Sequence, residues 1–197
     1  MDIAYLLWLQ KLRLALSSVF DSFSLYVTDF GMWHAALLVI FLLYWCIDKK
    51  KGELLIISMS LAQITNSLLM MIFCVYRPWI RDARVEPAGN AKVDATGYSF
   101  PSGHSTASTT YLGGASWLYR DHKVLRNCLL TLLVLVLFSR NYLGVHTPQD
   151  VLVGTATGVL CVFLGIKLLH WADQGKTGIS ISCVLHLLPV SSFCCLF

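Results

Sequence analysis

The amino-acid sequence predicts an all-α membrane protein, with about five transmembrane helices in one bundle and an amphipathic helix at the N-terminus. Of its 197 residues, 56% are hydrophobic and 13% are charged, whereas soluble domains carry about 25% charged residues. The mean hydropathy is +0.66, and long uncharged runs alternate with short charged segments. This composition excludes a disordered chain and a soluble basic protein that binds nucleic acid. We expect a single membrane domain over residues 1–197, in contact with the bilayer.

The N-terminal segment 4–20 has the periodicity of an amphipathic helix that lies in the membrane interface. Asp2 precedes it where a signal peptide would carry basic residues, so we expect no cleaved signal and targeting by the first spanning helix. The predicted apolar face consists of Leu9, Leu12, Leu16 and Val19, and the polar face of Gln10, Arg13 and Ser17.

Five apolar runs follow, and each is a candidate membrane span. The third run is rich in serine, threonine, alanine and glycine, a composition that favours close helix packing inside a bundle over contact with lipid. A tail over residues 178–197 is apolar again but contains a proline and several serines, so it could span, lie in the interface or stay poorly ordered. The five predicted spans are residues 32–47, 54–76, 105–119, 127–138 and 151–166.

The loop charges predict which end of the bundle faces the cytoplasm. If the five spans alternate, one group of basic residues falls at a single end, and the positive-inside rule assigns that end to the cytoplasm. The opposite end carries nearly as many basic residues, but there they accompany acidic residues and the motifs described next. The predicted cytoplasmic group comprises Lys49, Lys50, Lys51, Arg120, Lys123, Arg126, Lys167 and Lys176.

Three short polar segments stand at the ends of different spans, and alternating topology places all three at the extracytoplasmic end. An arginine at the end of a span commonly snorkels to lipid headgroups, and a single histidine at a helix start is commonly structural. Two arginines, two histidines and an aspartate that converge at one end of a bundle predict a functional site, because ionisable groups there are costly. The segments are Arg77-Pro78, Pro101-Ser102-Gly103-His104, and Ser139-Arg140 followed by His146 and Asp150.

The residue types in these segments suit phosphoryl transfer. Arg77 and Arg140 offer planar forks of donors that match phosphate oxygens. A helix that begins near Ser102 and Gly103 would direct backbone N–H groups at the same anion. Two histidines can supply a nucleophile and an acid that protonates the leaving oxygen. This set of side chains requires no metal and no other cofactor.

The spacing of His146 and Asp150 has two interpretations. Because the two residues are four apart, a carboxylate on the same helical face could hold one ring N–H and orient the other nitrogen for attack. The stretch from Thr147 to Asp150 is also typical of a helix start, with an N-cap threonine, a proline at the first position and an acidic capping-box residue. Both interpretations stay open at the level of sequence.

The motifs resemble the signature of the membrane branch of the type 2 phosphatidic acid phosphatase superfamily, which is Lys-x6-Arg-Pro, Pro-Ser-Gly-His and Ser-Arg-x5-His-x3-Asp. The second and third parts match in full, and the first is present as Arg77-Pro78. The resemblance covers roughly residues 66–160, the expected catalytic core. Where the family has its lysine, seven positions before the arginine, this sequence has Met70. Lys92, in the loop that leads to the second motif, is a candidate substitute cation.

The resemblance implies metal-independent hydrolysis of a lipid phosphate or an isoprenoid diphosphate through a phosphohistidine intermediate. His146 would attack phosphorus, Asp150 would orient it, and His104 would protonate the leaving group. The phosphoryl oxygens would be held by Arg77, Ser102, Gly103 and Arg140.

Other functions stay open beside this one. A lipid or sugar hydroxyl, instead of water, could accept the phosphoryl group, which would make the protein a phosphotransferase. Met70 in place of the family's lysine would also fit a catalytically impaired protein that binds lipid phosphates. A purely structural membrane subunit would leave the convergent arginines and histidines unexplained. The sequence predicts no oligomeric state.

Overall fold

The computed structural model describes residues 2–15, 18–95 and 97–174 and folds them into an all-α bundle. No strand occurs among these residues, which confirms the predicted fold class. Some of the predictions concern residues or side chains outside the described part, namely Leu16, Ser17, the side chain of Val19, Lys176 and the tail 178–197. The α-helices are α1 (Asp2–Ala15), α2 (Ser18–Asp29), α3 (Trp33–Leu42), α4 (Lys49–Phe73), α5 (Pro78–Arg81), α6 (Ala91–Asp94), α7 (Gly103–Ser108), α8 (Gly114–Leu118), α9 (Lys123–Tyr142) and α10 (Pro148–Gln174).

All five predicted apolar runs are largely helical. Helix α3 continues through a π-helical segment, Leu43–Ile47, and another π-helical segment, Thr109–Gly113, joins α7 to α8. Helix α2 and the extended α3 meet at a bend of 51°. Within the described ranges, three stretches are long and apolar enough to cross a membrane, and the bent pair would make a fourth. The three stretches are Lys49–Arg81, Lys123–Tyr142 and Pro148–Gln174.

The continuous helix from residue 103 to residue 118, called the central rod below, coincides with the predicted third span. It is not among the stretches that meet the length and hydropathy of a membrane span. Its small residues instead allow close packing, as their composition predicts. A Cβ at Gly154 of α10 would lie 2.7 Å from the carbonyl oxygen of Ser102, and one at Gly158 would lie 2.8 Å from that of Thr106. These contacts bring the start of the rod against the first three turns of α10.

The N-terminal segment is helical where the structure describes it, as α1 and α2, but its surroundings differ from the prediction of an interfacial helix. Its polar side chains face protein. Arg13 is buried and donates to the carbonyl oxygen of Glu86 at 2.7 Å, while Gln10 pairs with the backbone of the same loop. Since these contacts hold α1 by its polar side, Leu12 of the predicted apolar face is exposed, whereas Leu9 is buried.

The two ends of the bundle differ in charge. Lys50 Nζ lies 2.8 Å from the Asp173 carboxylate, and Lys51 Nζ lies 4.3 Å from the centre of the Tyr119 ring. These contacts place the lysines at the start of α4 beside the ends of α8 and α10. The three motif segments lie at the opposite end, where α4 and α9 finish and the central rod and α10 begin.

Candidate active site

The motif residues come together at the end of the bundle opposite the lysines. Arg77 follows α4, Ser102 caps the central rod, and Arg140 lies in the last turn of α9. The connection from α9 to α10 carries His146, and the first turn of α10 carries Asp150. None of these five residues is more than 5% exposed, and buried charged groups of this kind need polar partners.

The ring of His146 is held at both nitrogens. Nη1 of the Arg77 guanidinium lies 2.9 Å from Nε2, and Nδ1 lies 2.9 Å from the carbonyl oxygen of Ser99. Because a guanidinium can only donate hydrogen bonds, Nε2 is the nitrogen that carries the lone pair. Nδ1 therefore carries the proton and donates it to the Ser99 carbonyl. His146 thus has an unprotonated Nε2 beside a cation.

The surroundings of His146 also keep its ring uncharged. Burial lowers the pKa of His146 below its ordinary value, since a buried imidazolium loses its hydration. The neighbouring cations Arg77 and Arg140 lower that pKa further, while Asp150 acts in the opposite direction. The neutral ring is the form that can act as a nucleophile.

Asp150 both supports the ring and starts α10. Its Oδ2 accepts hydrogen bonds from Ser99 Oγ at 2.6 Å and from the Thr147 N–H at 2.8 Å. The Asp150 N–H faces Thr147 Oγ1 at 3.4 Å, so the capping box that the sequence offered as an alternative is present. Oδ2 is also 3.7 Å from His146 Nδ1, too far for a hydrogen bond. The carboxylate therefore acts on the ring as a nearby charge.

The first turn of the central rod is fixed to its neighbours. The Ser102 N–H donates to the carbonyl oxygen of Asp150 at 3.0 Å, and Ser102 Oγ accepts from Ser105 Oγ at 2.9 Å. On the side of α4, Thr106 Oγ1 donates to Asn66 Oδ1 at 3.0 Å. Gly103 lies in this turn beside the Asn66 amide, where an added Cβ would be 3.5 Å from Nδ2. The rod thus begins at a defined position between α4 and α10.

A cavity of about 200 Å³ lies beside this first turn. His104 and Arg140 line it, and Thr28 and Met32 line it from the bend between α2 and α3. Nη1 of Arg140 donates to Thr28 Oγ1 at 2.6 Å. The cavity therefore combines an imidazole and a guanidinium with walls that are partly apolar. A wider depression at residues 44–49 lies at the lysine end and contains no motif residue.

The charge balance of the site favours an anionic ligand. Two buried guanidiniums, those of Arg77 and Arg140, accompany the buried carboxylate of Asp150, and the exposed carboxylate of Asp29 also lines the cavity. Phosphate is an anion that such a pair of arginines can bind with directed hydrogen bonds. In the part of the chain that the structure describes, no group of three or more His, Cys, Asp or Glu side chains could hold a metal ion.

The two residues considered for the missing lysine lie at the edge of this cluster. Met70 is half-buried on α4, one turn beyond Asn66, and Lys92 is exposed on α6 next to Ala91, which lines the cavity. Conversely, sequence reasoning missed Ser99 and Thr28. Neither belongs to a motif, and Thr28 is 112 positions from Arg140, so no sequence spacing indicates them.

Comparisons with known proteins bear on the family and the fold of this chain. A family model described as PAP2 superfamily matches residues 52–174. The undecaprenyl-diphosphatase of Sulfolobus acidocaldarius is 32% identical over 120 residues, which cover 61% of this chain and 56% of that protein. Phosphatidylglycerophosphatase B of Bacillus subtilis is 39% identical over 98 residues, which cover 46% of this chain and 47% of that protein. The aligned part of this chain thus spans about half the length of each relative.

Two crystal structures share the fold. The structure of Aquifex aeolicus LpxE superimposes with a TM-score of 0.61 at 22% identity. The superposition covers 81% of this chain and 93% of the LpxE chain. The structure of a transmembrane PAP2 type phosphatidylglycerolphosphate phosphatase from Bacillus subtilis has a TM-score of 0.66, also at 22% identity, and covers 89% of this chain and 87% of its own. The likeness extends beyond the motif segments to the arrangement of the helices.

Proposed function

Because this chain belongs to the PAP2 superfamily, we propose that it hydrolyses a lipid phosphate or an isoprenoid diphosphate through a phosphohistidine, without a metal. The observation that carries the proposal is the contact between Arg77 and Nε2 of His146, since it assigns a lone pair to the nitrogen that would attack. Two relatives of the chain, an undecaprenyl-diphosphatase and a phosphatidylglycerophosphatase, support a phosphorylated lipid as the substrate class.

In the first step, Nε2 of His146 attacks phosphorus, and the bond from phosphorus to the leaving oxygen breaks. Arg77 releases Nε2, because the incoming phosphate oxygens replace the ring as acceptors for its N–H groups. Burial and the nearby arginines lower the pKa of His104, so its protonated form depends on the negative charge of the bound phosphate. In that form His104 gives its proton to the departing alkoxide, or to the departing phosphate of a diphosphate. Asp150 stabilises the positive charge that develops on the ring, while the Ser99 carbonyl retains the Nδ1 proton.

In the second step, a water molecule attacks the phosphorus of the phosphohistidine. His104, now neutral, takes a proton from that water, and the bond between phosphorus and nitrogen breaks. Inorganic phosphate leaves, and His146 returns to its neutral form with the lone pair on Nε2. His104 is protonated again and can serve the next turnover.

The phosphoryl oxygens would be held by four residues. Arg77 and Arg140 supply positive charge and directed donors. At the start of the central rod, Ser102 supplies a hydroxyl, and Gly103 lets the backbone approach the anion closely. These donors would bind the charge of the transition state more strongly than that of the substrate. Because of this difference in binding, the reaction is accelerated.

Lys92 is proposed as the cation that Met70 does not supply. Its backbone position on α6 is next to Ala91, which lines the cavity. The side chain is exposed, and a lysine is long enough to reach an anion at the cavity mouth from there. It would act there as a point charge.

The leaving group would occupy the cavity beside His104, with the lipid chain extending into the bilayer. At about 200 Å³, the cavity is smaller than the roughly 300–1,000 Å³ of pockets that enclose whole ligands. It suits a headgroup whose tail stays in lipid. The lysine-rich end of the bundle would face the cytoplasm by the positive-inside rule, and the proposed active site would then lie on the extracytoplasmic side.

Phosphate release by the purified protein in detergent tests this function. The substrates are phosphatidate, phosphatidylglycerol phosphate, a sphingoid-base phosphate and an isoprenyl diphosphate, all in EDTA. We expect release from at least one of them, and a loss of at least about 10³-fold in His146→Ala. His122→Ala, at an exposed histidine of the lysine end, is the matched control and should retain wild-type release. Near-normal release by folded His146→Ala would exclude this mechanism.

The same assay separates the other candidate functions. A lipid or sugar alcohol is added to the reaction and the products are analysed. A phosphorylated alcohol among the products would indicate a phosphotransferase. Binding of these lipids without release of phosphate would instead indicate the impaired lipid-phosphate binder that Met70 suggests. If EDTA abolished the activity and added metal restored it, the reaction would not be metal-free.

A further inference from the structure

Helix α2 contributes a side chain to the candidate site although it lies outside residues 52–174, the segment that matches the family. Thr28 is 6% exposed, and its Oγ1 accepts the hydrogen bond from Arg140 Nη1 at 2.6 Å. Arg140 is 2% exposed and lines the cavity together with Thr28 and His104. A threonine from outside the family segment therefore contacts one of the two guanidiniums of the site.

The bend that follows Thr28 fits closely against the same site. A Cβ at Gly31 would lie 2.8 Å from Val136 Cγ1 and 3.1 Å from His104 Cδ2, so the backbone of the bend packs directly on the histidine ring. The carbonyl oxygen of Phe30 accepts a hydrogen bond from the Tyr111 hydroxyl of the central rod. These contacts fix the end of α2 over the site independently of the threonine hydroxyl.

A threonine suits this place because its hydroxyl is a neutral acceptor. A buried carboxylate in place of Thr28 would bind Arg140 more strongly, but it would add to the negative charge of the exposed Asp29 at this cavity and offset the positive charge that attracts phosphate. The hydroxyl takes one of the five N–H donors of the guanidinium and restricts a side chain that otherwise has many rotamers. A side chain held in its binding conformation costs less entropy when the ligand arrives.

We propose that Thr28 is a positioning residue, which directs the Arg140 guanidinium at the phosphoryl group of the substrate. The bend at residues 28–32 thereby completes the active site from outside the family segment. This inference rests on the proposed function, since it assigns Arg140 to phosphate. Thr28 acts through Arg140 and needs no contact of its own with the substrate.

Three variants test the inference in the full chain. Thr28→Val keeps the shape of the side chain and removes the hydroxyl, whereas Thr28→Ser keeps the hydroxyl. We expect kcat/KM to fall about ten-fold or more in Thr28→Val, as for a lost hydrogen bond to a charged group, and to stay within about two-fold of wild type in Thr28→Ser. Thr155→Val is the control, because that hydroxyl only bonds Val151 O within α10, and it should match wild type.

Two further measurements distinguish positioning from a structural role. The inhibition constant of inorganic phosphate should rise by a similar factor in Thr28→Val, because phosphate would use the same arginine. In an Arg140→Lys background, Thr28→Val should add less than about two-fold to the loss, since the two residues act as one unit. A full ten-fold loss in that background, or unchanged phosphate inhibition, would overturn the inference.

The outcomes for this inference and for the proposed function are separable. Wild-type kcat/KM in folded Thr28→Val overturns the role of Thr28 and leaves the phosphatase intact. Absence of His146-dependent release from the wild-type protein overturns the proposed function, and this inference with it. If Thr28→Val does not fold, Thr28→Ala takes its place, because alanine adds no branched side chain to the site. The same fold-changes in kcat/KM and in the inhibition constant of phosphate then decide the question.

Discussion

At the scale of single residues, two groups on the Nδ1 side of His146 have different roles. The Ser99 carbonyl takes the ring proton at 2.9 Å, whereas the Asp150 carboxylate stays 3.7 Å away and supplies charge. The Ser99 hydroxyl connects them, because it donates to the same carboxylate at 2.6 Å. The ring is therefore oriented by a backbone group, and the negative charge beside it is oriented by a side chain.

This arrangement predicts the effect of Ser99→Ala. The variant keeps the carbonyl but deprives Asp150 of one hydrogen bond, so we expect kcat to fall about ten-fold with little change in KM, since the phosphate ligands are untouched. Steady-state phosphate release measures both constants. Ser116→Ala, at a buried serine of α8 that bonds Gly113 O, is the control. An effect confined to KM would contradict the assigned role.

Burial of His146 also predicts how stability depends on pH. The folded protein keeps the ring neutral because burial lowers its pKa, whereas the unfolded chain takes up a proton near pH 6.5. Below that pH the unfolded state binds more protons, so the free energy of unfolding falls by up to about 1.4 kcal/mol per pH unit. Between pH 7.5 and pH 5, the Tm of the wild type should therefore fall more than the Tm of His146→Gln. Equal losses in the two proteins would refute this prediction.

The proposed role of Lys92 as a cation at the cavity mouth predicts opposite effects of two substitutions on KM. Lys92→Gln should raise KM several-fold with kcat retained, because a surface charge acts mainly on substrate capture. Met70→Lys places a lysine where the family has one and should lower KM in the Lys92→Gln background. Lys49→Gln, at the opposite end of the bundle, is the control. An unchanged KM in Lys92→Gln would exclude Lys92 as the substitute cation.

At the scale of elements, the contact between the central rod and α10 sets the geometry of the site. Gly154 faces the carbonyl oxygen of Ser102 so closely that an added Cβ would lie 2.7 Å away. Since that neighbour is backbone, Gly154→Ala must push the rod away from α10. The hydrogen bond from the Ser102 N–H to the Asp150 carbonyl oxygen would lengthen with it.

We expect Gly154→Ala to destabilise the fold by about 1–3 kcal/mol, as for other overpacked contacts, and to lower kcat because two halves of the site separate. Gly113→Ala in the rod itself is the matched control, since its nearest neighbour would be 3.7 Å from the new Cβ. Thermal unfolding and phosphate release of the two variants decide the question. Equal behaviour of the two proteins would show that the contact does not position the site.

At the scale of the whole molecule, the lysine cluster and the candidate site occupy opposite ends of the bundle. Two exposed cysteines mark these ends, since Cys46 lies just before the lysines and Cys74 lies just after α4, near Arg77. They make the proposed orientation testable with the chain's own residues.

In variants that retain only one cysteine, a membrane-impermeant maleimide should label Cys74 in intact cells. Cys46 should react only after permeabilisation, because the positive-inside rule assigns its end to the cytoplasm. Phosphate release by each variant shows that the site is intact. The reverse labelling pattern would place the active site in the cytoplasm.

Sequence alone was sufficient for the fold class and for the motif residues that meet at the candidate site. Hydropathy needs only composition and order, and motif residues such as His146 and Asp150 stand at spacings that can be read along the chain. The small residues of the run 105–119 likewise predict close packing, which Gly154 and Gly158 confirm from α10.

Contacts between distant parts of the chain could be found only in the folded molecule. The polar side of α1 faces protein because Arg13 reaches a backbone carbonyl in a loop 73 positions away. Thr28 and Arg140 meet across 112 positions, and the Ser99 carbonyl is a backbone group that every residue type carries. Such contacts depend on how helices pack against each other, and neither periodicity nor residue type encodes that arrangement locally.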